Sequence, residues 1–396
     1  MDTGPIEFAY LPWALIPRPC IVGPFAFRPI RRESTQFASL PTPIRQTLVC
    51  HDSFEGEPRD GWTLIERCGG PFQPSNDIAW SNYWRQQCQL ACRVLAISSI
   101  AENQPYLQGA NYVNASIFQP HFQRAKSAVD LLTSVAHITR RKYGTASHLW
   151  PAGVRQPEPL HCHGIWAHAP DKALLDALSS FAFGGREPDK RTRGILSACA
   201  LFLSSHTDAP SVELEDELVG QIIALNILLG GGSKHTTANR LNELFAEDTL
   251  KLALTASQRI AKLSSSEDDP RCSNETLLWN WYIDAYAVRN DWHHERHLRS
   301  QCYLWSLEEH VHFSAQVFPL ALKFLLSESG HYKLSDRDHA MAYSLMPILH
   351  TSDWWECESE NSRVPRWNKA VQQGHSDIVW RKLLTETLDF EPPPQQ

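Results

Sequence analysis

The chain has 396 residues, 42% of them hydrophobic and 20% charged, with 14 Trp, which suits two or three buried cores and excludes a disordered protein. A formal net charge of −7 excludes a surface coated in positive potential, so any nucleic-acid contact must come from a local patch. Ten Cys are scattered, only Cys88 and Cys92 lying close together, and they read as reduced, buried thiols rather than a disulfide framework.

The opening residues, Met1-Asp2-Thr3-Gly4-Pro5-Ile6-Glu7, show no basic segment followed by an apolar run, and no run approaches the length that spans a bilayer. The expectation is a cytoplasmic protein without membrane contact. Pro5, Pro12, Pro17, Pro19, Pro24, Pro29, Pro41 and Pro43 forbid long helices in the first fifty residues. Cys20–Phe27 and Trp62–Ile65 are β-branched or aromatic and are the strand candidates.

From Ile78 to Ile100 the pattern turns helical, with Trp84, Cys88, Cys92, Leu95 and Ser99 recurring on one face. A second helix is predicted over Phe122–Tyr143, closing on the basic cluster Arg140-Arg141-Lys142, which is either a solvated helix end or a local RNA contact. Gly144, Pro151, Gly153, Pro157, Pro159 and Pro170 make 143–170 an irregular connection. His161-Cys162-His163, with His168 nearby, has the spacing of part of a zinc site. A structural site needs four ligands and no partner pair is evident, so no metal or cofactor is expected. Residues 1–165 therefore read as a mixed α/β domain.

Helices dominate from 171. They are predicted at Ala173–Phe183, closed by Gly184-Gly185, at Thr192–Ser205, and at Val212–Leu229, which starts beside Pro210-Ser211. That last helix has Glu213, Glu215, Asp216 and Glu217 at its start, where they suit the dipole. Its core stripe is Leu218, Ile222, Leu225 and Leu229, and Gly230-Gly231-Gly232 stops it. Further helices are predicted at His235–Phe245, Leu250–Leu263, Glu275–Val288 and Tyr303–Leu326, with the polar loop Ser264–Pro270 between the second and third of these. The fold class is mostly α, with a helical bundle over 171–330. The remainder, 331–396, carries Trp354, Trp355, Trp367 and Trp380 and reads as an appendage packed on that bundle.

The densest chemistry lies at Asn280–Arg299. Arg289 stays charged near neutral pH and presents a planar fork of donors that matches phosphate oxygens. His294 can exchange a proton at physiological pH, and Asn290 can hold a substrate oxygen or fix an imidazole tautomer. Attack of an RNA 2′-hydroxyl on the adjacent phosphate needs a base for that hydroxyl and a cation for the developing charge. These three residue types supply both without a metal. The bland alternative pairs Arg289 with Asp291 or Glu295 on the surface and leaves His294 to cap a turn.

The segment Tyr286-Ala287-Val288-Arg289-Asn290-Asp291-Trp292-His293-His294 resembles the Tyr-x-x-Arg-Asn…His signature of the HEPN superfamily, in which four to six residues separate Arg from His. His294 leaves four, whereas His293 leaves three. The resemblance extends over about 171–330. It implies a helical domain that forms a homodimer, with two Arg/His motifs facing each other in one metal-independent RNA endonuclease site. It also implies a toxin or an effector of anti-phage defence and abortive infection, answering to a regulatory partner or a phage trigger, with residues 1–165 sensing or restraining. Carried over, Arg289 stabilises the scissile phosphate, His294 is the acid or base, and Asn290 orients. One departure is Asn226, where related sequences often place an acidic residue.

Two other readings compete. His293, His294, Glu295 and His297 suggest a zinc protease, but His294-Glu295-Arg296-His297 is one residue short of His-Glu-x-x-His. The other is a non-catalytic HEPN module serving as a dimerisation or nucleotide-sensing scaffold.

Overall fold

The computed structural model describes residues 6–49, 51, 53–54, 57–58, 60–68, 82–103, 114–125, 133–141, 144–151, 169–184, 189–207, 212–246, 275–295, 303–350, 374 and 376. The described residues are mostly helical, with ten α-helices and an antiparallel sheet. The chain divides into two compact units. The first takes Met1–Asn103, Tyr112–Thr192 and His206–Ser211, and the second takes Gln104–Asn111, Arg193–Ser205 and Val212–Gln396.

The first unit is built on β1 (Ile6–Leu11), β2 (Cys20–Val22), β3 (Phe25–Arg31), a two-stranded hairpin β4 (Ser53–Phe54) and β5 (Glu57–Pro58), and β6 (Gly61–Arg67). Three further strands are β7 (His121–Ala125), β8 (Thr133–Arg141) and β9 (Gly144–Pro151). Seven of them form one sheet in the order β2-β3-β6-β1-β7-β8-β9, and each neighbouring pair within it is antiparallel. Strands near its centre are buried on both faces, because side chains alternate and each face has its own cover. Phe8, Tyr10, Ile30, Trp62 and Leu64 point to one side, where they meet Ile44 and Leu48 of α2 (Thr42–Val49) and Phe37 of α1 (Thr35–Ser39). On the other side Phe25 meets Trp84 of α3 (Asn82–Asn103) edge to face. α4 (Lys172–Phe183) also packs in this unit, although the sequence places it in the bundle. Gly23, at φ +54°, lies so close to the Phe183 ring that no Cβ would fit, and its N–H donates to Ser179 Oγ.

Two sequence expectations fail here. Phe122–Tyr143 is not helical, since β7 and β8 occupy much of it, and 143–170 is not wholly irregular, since it contains β9. Arg140 and Arg141 accordingly end a strand rather than a helix. The cause is tertiary. β7 pairs with β1, more than a hundred residues earlier, and a ladder partner that distant leaves no local periodic signal.

The second unit contains α5 (Lys190–Ser205, from Arg193 onward), α6 (Leu214–Leu228), α7 (Lys234–Leu244), α8 (Leu277–Glu295), α9 (Leu307–Glu328) and α10 (Asp336–His350). α9 is buried around nearly its whole circumference and so forms the centre. It stacks Phe318 on Phe202 of α5, Phe324 against Phe245, and Phe313 against Trp281 of α8. Fully burying each such ring contributes about 1.5–3 kcal/mol. Ser306 starts α9 through a complete capping box with Glu309, so this helix begins later than the Tyr303 expected. The stripe Leu218, Ile222, Leu225 and Leu229 is buried as the periodicity requires, and Gly230, Gly231 and Gly232, all at positive φ, turn the chain into α7. The N-cap of α6 is Glu213, without a side-chain cap bond, while Pro210-Ser211 lie outside the described residues. α10, which the sequence leaves unassigned, packs on α8 and α9.

His161-Cys162-His163, His168, the Leu250–Leu263 helix, the loop 264–270, His297 and the four Trp of the tail lie outside the described residues.

Candidate functional site

The site is carried by α8. Thr276 opens the helix, its Oγ1 accepting from Trp279 N–H and donating to Asn242 Oδ1 at 2.6 Å. Leu278, Tyr282, Ala285 and Val288 are all buried, as the spacing predicts. The helix does not stop at Val288 but continues through Glu295, so Arg289, Asn290 and His294 stand inside its last two turns rather than beyond its end.

That continuation sets their geometry. His294 lies five positions after Arg289, which places the two about 140° apart around an α-helix, whereas Asn290 and His294 are one turn apart on nearly the same side. Asn290 closes part of the gap, because its Oδ1 accepts from Arg289 Nη1 at 2.7 Å. The Arg289 guanidinium also lies 5.2 Å from the Tyr286 ring, in cation–π range. Its Nε is buried and meets no hydrogen-bond acceptor, and the guanidinium forms no ion pair among the described residues. Asp291, the nearest candidate partner in sequence, instead accepts from Tyr303 Oη at 2.5 Å. His293 and His294 belong to the helix, and their side chains lie outside the described residues.

Arg289 acts on a polar cluster of α6, α7 and α8 through Tyr282. Asn226 Nδ2 donates to Thr237 Oγ1 at 2.9 Å and to Tyr282 Oη at 3.4 Å, bracing α6 against α7 and α8. Burial pushes the Tyr282 hydroxyl up to about 12, opposed by its bonds to Asn226 and Thr237 and by the Arg289 charge, so it remains a neutral phenol. An acid in place of Asn226 would bring a negative charge to this cluster. At the other end, Trp292 Nε1 donates to Asp216 Oδ1 at 2.9 Å, tying the last turn of α8 to the first of α6.

Asp284 belongs to no motif and is not among the site residues expected from the sequence. It is fully buried and its Oδ2 gathers the N–H of Leu304 at 2.8 Å, that of Trp305 at 3.3 Å, and His310 Nε2 at 3.2 Å. The available signal was a single carboxylate within the apolar stretch Leu277–Ala285, where an ionised group requires buried partners.

Among the described residues no cluster of three or more His, Cys, Asp or Glu has the arrangement of a metal site, and no helix is long and apolar enough to cross a membrane. Comparison of the chain with family models, with curated proteins and with solved structures finds no match.

Proposed function

We propose that the protein is a metal-independent RNA endonuclease of the HEPN type, acting as an anti-phage defence or toxin effector, with residues 1–165 sensing or restraining it. The observation that carries this reading is the state of Arg289. A guanidinium with a buried Nε, oriented by Asn290 and lacking a carboxylate partner among the described residues, is a cation prepared for an external anion. A cation serving only stability would gain more from a counter-ion.

In the reaction, a base removes the proton of the 2′-hydroxyl and the 2′-oxygen attacks the adjacent phosphorus. The bond from phosphorus to the 5′-oxygen breaks, and an acid protonates that oxygen. Arg289 stabilises the charge that develops on the non-bridging oxygens, and Asn290 holds the guanidinium in place. His294 serves as base or acid, and a homodimer with two facing motifs supplies one His294 for each task.

This chemistry leaves a 2′,3′-cyclic phosphate and a 5′-hydroxyl. Sequencing the RNA ends produced on induction in cells tests it, since 5′-phosphate ends would refute attack by the 2′-hydroxyl. Stable dimers that produce no new RNA ends would favour a scaffold.

A further inference from the structure

We infer that Asp284 is a positioning residue for the Arg289–His294 motif: its buried carboxylate anchors the returning chain to α8 and so fixes the turns of that helix that carry the motif. The functional consequence rests on the ribonuclease reading above, whereas the geometry does not.

Helix ends fray because their last carbonyls have no intrahelical partner, and Arg289, Asn290 and His294 all lie in the last two turns of α8. Catalytic groups placed there need support from outside the helix. Two carboxylates give it. Asp284 and Asp291 are seven residues apart, two helical turns, and therefore face the same side. The chain leaves α8 after Glu295 and is back against that side at Tyr303, whose hydroxyl donates to Asp291 at 2.5 Å. The next two residues, Leu304 and Trp305, give their N–H groups to Asp284 Oδ2, and His310 on α9 adds a third contact at 3.2 Å. Trp305 is held in turn by its Nε1, which donates to Leu349 O at 3.1 Å. Three consecutive residues are thus fastened to the helix that bears the motif.

Asp284 itself lies outside the reacting centre. It stands about 140° around the helix from Arg289 and is fully buried, so it cannot touch a substrate. One oxygen accepting two backbone N–H groups and facing an imidazole nitrogen suits a carboxylate, while an amide oxygen in its place carries less charge and brings an NH2 donor into the same buried space. Asp284→Asn should loosen the anchor while keeping the side chain's shape.

The test uses the full chain as wild type, Asp284→Asn and Tyr303→Phe, the last removing the hydroxyl that anchors Asp291. Steady-state cleavage of a single-stranded RNA is measured beside amide hydrogen exchange resolved along α6, α8 and α9. For Asp284→Asn the expected result is kcat lower by about tenfold or more with KM within about twofold. Residues 289–295 should exchange faster while α6 and α9 keep their protection, and Tyr303→Phe should do the same more weakly. Unchanged exchange at 289–295, or protection lost evenly through the second unit, overturns the inference, as does wild-type kcat in folded Asp284→Asn. If Asp284→Asn does not fold, His310→Gln, which replaces one of the three groups that meet Asp284 Oδ2 and keeps the carboxylate, decides by the same two readouts. If the wild type cuts no RNA, the ribonuclease reading falls, and exchange at 289–295 still decides whether Asp284 holds the turn.

Discussion

Arg289 Nη1 donates to Asn290 Oδ1 over 2.7 Å, and the bond draws the guanidinium from its own side of α8 toward the side that Asn290 shares with His294 in helix register. Adjacent helical residues point about 100° apart, so this contact is a choice of rotamer rather than a consequence of the backbone.

Asn290→Ala should therefore release Arg289 and lower RNA cleavage by about tenfold to a hundredfold, the range expected when a hydrogen bond to a charged group is lost. Asn290→Asp should be worse still, because a carboxylate beside Arg289 supplies a counter-ion that no described residue provides. Single-turnover rates of both variants check this, and a rate equal to wild type in Asn290→Asp would show that the charge of Arg289 is not used.

A second prediction concerns stability. Lys323 Nζ meets Asp338 Oδ1 at 2.7 Å inside the second unit, and Asp338 also accepts from Tyr332 Oη and from Ser335. Burial pushes the Asp338 carboxyl up, but the Lys323 charge and the bonds from Lys323 and Ser335 outweigh it and hold the group below its ordinary 3.8. A carboxyl lowered in this way adds stability that is present above its unfolded value and is lost as pH falls through its folded value. Lys323→Met should cost about 3–5 kcal/mol at neutral pH, since it leaves a buried carboxylate without its cation. The gap from wild type, measured by urea denaturation, should narrow as pH falls below 3.8.

Thiol reactivity offers a third check. Cys68 is exposed, whereas Cys92 and Cys199 are buried, and burial raises the Cys199 thiol to about 12 and Cys92 well above its ordinary value. The thiolate is the reactive form. In native protein an aromatic disulfide reagent should modify Cys68 at once and leave Cys92 and Cys199 intact until denaturant is added. Mass mapping of the labelled peptides reads the outcome, and prompt labelling of Cys199 would contradict the packing of α5.

The helices of the second unit were the most legible part of the chain, and for a physical reason. α6 and α8 each bury a stripe at the 3.6-residue period, so Leu218, Ile222 and Leu225, or Leu278, Tyr282 and Ala285, can be picked out with no knowledge of what they touch. Strands β7 to β9 were illegible because their identity depends on ladder partners, the farthest of which is β1. Arg289 and Asn290 could be named from chemistry alone. Their bond to each other, the bracing role of Asn226 and the anchor at Asp284 could not, since each depends on a rotamer or on a contact between helices.

The most direct measurement of the ribonuclease account is RNA cleavage in excess EDTA by wild type, Arg289→Ala and His294→Ala, each first shown to be folded. The account predicts cleavage by wild type that survives chelation and is abolished in both variants. Cleavage that chelation stops, or that either variant retains at the wild-type rate, would contradict it.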